Sequence, residues 1–212
     1  MKLKSIIGIF LLASVVACNK KINDQNPAEK NVSNYFPVTT GSYWIYQTYL
    51  IDSLNNENLL DGYDSLSITG DTIINGNKYS VFYGKVIAVS STYQSFFYRD
   101  SSGYIVDERG RIVFTQNNLS DTLMKFYVVP DSSLFSFAMM EEWPNPVNSF
   151  DSVLNYKLSL VNSTENNILI GSTNDLYAPN VGRIIKQNFF LHQYTTEKKY
   201  YEARLFNYYI AP

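Results

Sequence analysis

The chain has 212 residues, 45% hydrophobic, 16% aromatic and only 17% charged, with a formal net charge of −2. So many aromatics exclude a chain disordered throughout, and a mildly acidic balance without a basic stripe excludes nucleic acid as a partner. One Cys and one His exclude zinc clusters, disulfide frameworks and most Cys-nucleophile chemistry. The single long apolar run lies at the N-terminus, which excludes a polytopic helical membrane protein.

Residues 1–17 read as a signal peptide. Lys2 and Lys4 make a positive start, and Ile6 to Val16 makes an apolar run too short for a stable span. The run ends in Val15-Val16-Ala17-Cys18. This resembles the lipobox of bacterial lipoproteins: an aliphatic residue, a small one, then an obligatory Cys. The resemblance implies that Cys18 carries the lipid and becomes the new N-terminus, with acyl chains such as palmitate as the membrane anchor. Each buried CH₂ contributes about 0.8 kcal/mol, so several chains hold nearly permanently. Residues 18–34 are polar and aperiodic, and read as a flexible tether. No Asp follows Cys18 and no acidic run follows either. By resemblance this implies an outer-membrane anchor with the domain facing the periplasm.

From residue 35 to 212 the sequence reads as a single β-domain. Tyr, Phe, Ile, Val and Thr dominate short runs broken by Asn, Asp, Gly and Ser. Trp44–Ile51 is the first expected strand. Asp64–Ile74 and Lys78–Ser90 flank Asn75-Gly76, the pair that tolerates positive φ at both turn positions, so a type I′ hairpin is expected. Gln94–Arg99, Tyr104–Asp107, Arg111–Thr115 and Thr122–Val129 follow. Ser132–Asn148, with Pro144 and Pro146, reads as a long loop with a helical turn before Trp143. Strand patterning resumes at Val153–Val161, Asn167–Ile170, Gly182–Leu191 and Lys199–Ile210. About ten to twelve such strands predict an all-β fold: one antiparallel β-barrel, half-barrel or sandwich.

Tyr35-Phe36-Pro37-Val38-Thr39-Thr40-Gly41-Ser42-Tyr43-Trp44-Ile45-Tyr46 resembles the opening of a group of Bacteroidetes-type lipoproteins. Further landmarks are Ile74-Asn75-Gly76, Tyr98-Arg99-Asp100 and Tyr177-Ala178-Pro179-Asn180-Val181-Gly182-Arg183-Ile184. The sequence departs from the group at Glu141-Glu142-Trp143-Pro144, where relatives carry Gly-Asp-x-Trp. The resemblance implies a β-rich fold and an envelope location, and no particular activity. Five Asp-Ser or Asp-Thr pairs before an aliphatic residue also resemble the O-glycosylation acceptor of Bacteroidetes envelope proteins. They place Ser53, Ser65, Thr72, Thr122 and Ser152 as candidate acceptors.

No catalytic constellation emerges. His192 stands without a nucleophile elbow, and the doublets Asp107-Glu108 and Glu141-Glu142 point their members to opposite faces of a strand. No metal-ligand set and no phosphate-binding Gly loop appears, so no cofactor is expected. Asp100-Ser101-Ser102-Gly103 reads as a β-turn. The excess is in Tyr, eighteen in all, whose flat face and polar tip suit sugars and half-apolar ligands. The expected role is binding a small apolar or glycan ligand, or an envelope protein, on a concave aromatic surface that includes Trp44, Tyr46, Tyr83, Tyr98 and Trp143. The alternatives are an accessory subunit of an envelope complex, using strand edges or the Trp143 loop, and a hydrolase of glycan or lipid.

Overall fold

The computed structural model describes residues 34–85, 92–119, 121–127, 134–163, 168–189 and 200–212. Cys18 with the signal and most of the tether, and His192, lie outside the described residues.

Twelve strands form one antiparallel sheet: β1 (Tyr43–Ile51), β2 (Glu57–Ile74), β3 (Asn77–Lys85), β4 (Tyr93–Ser101), β5 (Tyr104–Asp107), β6 (Ile112–Thr115), β7 (Thr122–Tyr127), β8 (Leu134–Glu142), β9 (Leu154–Asn162), β10 (Ile168–Ala178), β11 (Gly182–Phe189) and β12 (Tyr200–Tyr209). Their order is β6-β5-β4-β3-β2-β1-β12-β11-β10-β9-β8-β7. Two six-stranded meanders are thus joined where the first strand pairs with the last. The sheet curls into a nearly closed barrel whose ends, β6 and β7, meet without being hydrogen-bonded. The fold is all-β and antiparallel.

Local chemistry explains the turns. Asn75 and Gly76 both have positive φ, 50° and 79°, as a type I′ hairpin between β2 and β3 requires. Asp52 Oδ1 accepts from the amides of Leu54 and Asn56 at 2.8 and 2.9 Å, which closes the β1–β2 turn.

Three expectations need correction. Ser132–Asn148 is not a long loop with a helical turn, because Leu134–Glu142 is strand β8, paired to β7 and β9. Its alternation is sound: Ser136, Ala138 and Met140 are buried while the residues between them are half-buried. The prolines misled because they exclude a strand only at 144–146, after β8 has ended. The strand at Asp64–Ile74 begins seven residues earlier, at Glu57, in an exposed extension of Leu59, Leu60 and Gly62 that lacks alternation. The strand expected over Asn167–Ile170 runs on to Ala178.

The core spans the barrel. Trp44, Tyr46, Ile68, Phe82 and Ala203 pack between β1, β2, β3 and β12. Ile105 and Phe114, from β5 and β6, pack on Met140, Leu154 and Tyr177, from β8, β9 and β10. Side chains therefore bridge the seam that hydrogen bonds leave open. The segment before β1 enters this interior. Phe36 lies 5.5–6.1 Å, ring to ring, from Phe82, Tyr98, Phe114 and Tyr177, and so joins the two clusters. A third cluster lies on the other face. Leu176 sits between Asp175 and Tyr177, which point inward, and it packs with Val153, Val181 and Ile184 beneath Trp143, Val147 and Phe150.

Candidate functional site

The interior is not filled everywhere. A half-enclosed cavity of about 220 Å³ remains between the two inner clusters. Its apolar wall comes from Phe36, Trp44, Phe82, Phe96 and Tyr98. Trp44 stacks on Phe82 at 6.2 Å, and Phe82 meets Tyr98 edge-on at 5.1 Å. Its polar wall comes from Tyr156, Asp175, Tyr177, Arg183 and Lys186, and Lys85 lines it as well.

Backbone geometry builds this polar wall. On β11, Arg183 and Lys186 are three residues apart and would face opposite ways on a regular strand. Tyr177 pairs with Arg183 while Leu176 pairs with Ile185, so Ile184 is an extra residue in the ladder. This bulge resets the alternation and turns both cations to the cavity. Gly182, with φ of 93°, precedes it. A Cβ there would lie 3.2 Å from Pro37 and 3.4 Å from the Trp44 indole, so a side chain is strained by the backbone and tightly confined against Pro37. The Trp44 indole N–H donates to the Val181 carbonyl at 2.6 Å, and the Tyr46 hydroxyl donates to the Arg183 carbonyl at 2.9 Å. The opening motif and the Val-Gly-Arg motif are thus two sides of one contact.

The electrostatics are unusual for an interior. Asp175 Oδ2 faces Arg183 Nη1 at 3.3 Å and Lys186 Nζ at 3.4 Å. Burial pushes the Lys186 ammonium below its ordinary value of 10.5; Asp175 opposes this and Arg183 adds to it. Burial would also lower Arg183, but the Asp175 carboxylate opposes it and the guanidinium stays charged. Burial pushes the Tyr46 phenol up to about 12 and raises Tyr98, Tyr156 and Tyr177 too. These tyrosines are therefore neutral hydroxyls near neutral pH and do not offset the cations.

Of the residues expected at a binding surface, Trp44, Tyr46 and Tyr98 line the cavity. Tyr83 does not: it stands on the outer face, stacked on Tyr93 at 5.5 Å. Trp143 packs in the outer cluster. Much of the Tyr excess has this outward use, as in the Tyr43–Tyr209 and Tyr63–Phe206 contacts across strands. Arg183, Lys186, Asp175, Tyr156 and Tyr177 escaped the sequence reading. The one signal was charge inside strand patterns, at Asp175 and at Arg183 to Lys186, where a half-buried strand normally carries charge only outward.

The carboxylate doublets lie elsewhere. Asp107 is tied to Arg111 at 2.6 Å, and Glu141 to Asn155 at 2.9 Å. Among the described residues Asp175 is the one carboxylate in the cavity wall, and two-carboxylate glycoside hydrolysis needs a facing pair. Among the described residues no three His, Cys, Asp or Glu side chains converge as metal ligands do. Of the candidate acceptors, Ser53, Thr122 and Ser152 are exposed, whereas Ser65 and Thr72 are half-buried within β2.

No protein-family model and no curated protein sequence matches the chain. Solved structures similar to it include a protein from Bacteroides fragilis described as exported and of YmcC-like fold. It is 10% identical, with a TM-score of 0.42 over 82% of this chain and 98% of that one. Another is a protein from Parabacteroides distasonis described as a lipoprotein, 13% identical, with a TM-score of 0.42 over 83% of this chain and 99% of that one. The all-β assignment stands on this chain's own strand pairing.

Proposed function

We propose that this chain is an envelope lipoprotein that binds a small ligand inside its barrel. The observation that carries the reading is the cavity of about 220 Å³ between two well-packed clusters. Protein interiors are close-packed and leave few voids larger than water, whereas an apolar void of about 150 Å³ already admits benzene. The ligand is smaller than the drug-sized molecules that fill cavities of about 300–1,000 Å³. The aromatic wall suits a flat or short apolar body. Residues 1–18 support the location half: Cys18 takes the lipid, palmitate included, and anchors the domain to the outer membrane, facing the periplasm. Ser53, Thr122 and Ser152 are the acceptors most open to O-glycosylation.

The binding test uses the two tryptophans. Trp44 lines the cavity and Trp143 lies outside it, so Trp143→Phe leaves a reporter at the cavity alone. Native mass spectrometry of the chain extracted gently from its own envelope should show a bound small molecule. Returning that molecule to the emptied Trp143→Phe protein should change Trp44 emission. A chain that carries no adduct, and whose Trp44 emission ignores envelope extracts, overturns the reading. Cys18→Ser should move the protein from the membrane to the soluble envelope fraction, and protease treatment of intact cells should leave the wild-type domain uncut.

A second reading, an accessory subunit, is favoured by the seam. Among the described strands β6 and β7 are hydrogen-bonded on one side only, and Phe126 and Tyr127 of β7 are exposed. Such edges accept a strand from a partner. A stoichiometric protein partner on an empty cavity would promote this reading over the first.

A further inference from the structure

The charges of the cavity wall do not balance. Among the described residues Arg183 and Lys186 share one carboxylate, that of Asp175, at one oxygen, and at 3.3 and 3.4 Å. Lys85 has a partner outside the wall, Asp64, at 3.6 Å. Tyr46, Tyr98, Tyr156 and Tyr177 surround the group as neutral phenols. Arg183 Nε is buried and meets no acceptor among the described residues. The Arg183 and Lys186 side chains keep only 21% and 19% of their surface exposed, so water does little to screen them. A fold gains nothing from an unbalanced cation beside a cavity, because desolvating it costs more than one shared carboxylate returns. Beyond the polar wall lies the aromatic one.

We infer that the cavity takes a small organic anion: one carboxylate or phosphate monoester, held by Arg183 and Lys186, on an apolar body that lies against Trp44, Phe82 and Tyr98. The inference rests on the reading of the cavity as a binding site and adds the charge of its ligand. The guanidinium supplies planar donors and the ammonium a point charge, a pairing that suits either oxyanion. The apolar body must be short, since the void exceeds a benzene site only modestly.

Isothermal titration of the full lipidated chain in phosphatidylcholine nanodiscs, blanked with empty nanodiscs, tests this. The probes are 3-phenylpropionate, phenyl phosphate, the neutral 3-phenylpropanol and inorganic phosphate. An anionic aryl probe should bind at least ~10-fold more tightly than 3-phenylpropanol, as charge-assisted hydrogen bonds predict. Whichever of 3-phenylpropionate and phenyl phosphate binds more tightly identifies the headgroup. Lys186→Met and Arg183→Met should erase the gap while 3-phenylpropanol binding persists, which also shows that each variant remains folded. Equal binding of 3-phenylpropanol and the anions overturns the inference and leaves the cavity reading intact. Inorganic phosphate as tight as phenyl phosphate overturns the apolar half. Binding of no probe at all overturns both.

Discussion

Lys186 is held at a cost that a single substitution exposes. Its folded value lies below 10.5, because burial disfavours the ammonium. The unfolded chain therefore binds this proton more readily than the folded one. The resulting penalty is complete below the folded value and fades as pH rises towards 10.5. Lys186→Met should raise the melting temperature at pH 7, by about 1 kcal/mol of stability, and the gain should shrink in melts taken between pH 7 and 10.5. Asp107 has the opposite sign. Burial raises it, but Arg111 and the backbone amides of Arg109 and Arg111 outweigh this and hold it below 3.8. Its contribution is present above 3.8 and is lost as pH falls through the folded value. Asp107→Asn should cost about 1–3 kcal/mol at pH 7 and flatten the acid limb of the stability profile, as read by urea titration at pH 7 and pH 3.

Among the elements, the segment before β1 does more than connect. Phe36 contacts rings from β3, β4, β6 and β10, so it joins both meanders from within. Phe36→Ala should cost about 3 kcal/mol and enlarge the cavity, which denaturant titration and a change in Trp44 emission would report. Most strands were legible in the sequence because alternation and turn chemistry are local: Asn75-Gly76 determines its hairpin from two residues. β8 was hidden because Pro144 and Pro146 lie just beyond its end, and a break one residue outside an element looks like a break inside it. The aromatic half of the cavity was legible at Trp44, Tyr46 and Tyr98. Tyr83 and Trp143 have the same chemistry as these three, and only the side of the sheet separates them. The cationic half was hidden by the β11 bulge, since three-residue spacing places Arg183 and Lys186 on opposite faces until Ile184 is inserted. No local pattern announces such an insertion.

For the whole molecule, the strand order concentrates risk at one joint. β1 lies mid-sheet, with β2 on one side and β12 on the other. A chain truncated after residue 199 would lose Ala203 from the core and leave β1 and β11 as two new edges. It should show no cooperative melt and should aggregate, as light scattering would register, whereas removal of Pro212 alone, which leaves the Ala211 amide on the buried Ser42 hydroxyl, should cost little. The same joint sets the order of events in time. Tyr43–Ile51 cannot meet its second partner until Tyr200–Tyr209 has been synthesised, and the Trp44–Val181 bond spans 137 residues of chain. An all-β fold that must close such a distant pairing folds on the millisecond-to-second scale. As the chain is made, β1 emerges early and waits with the edge meant for β12 open. Until its last strand arrives, that open edge is free to pair with another chain instead.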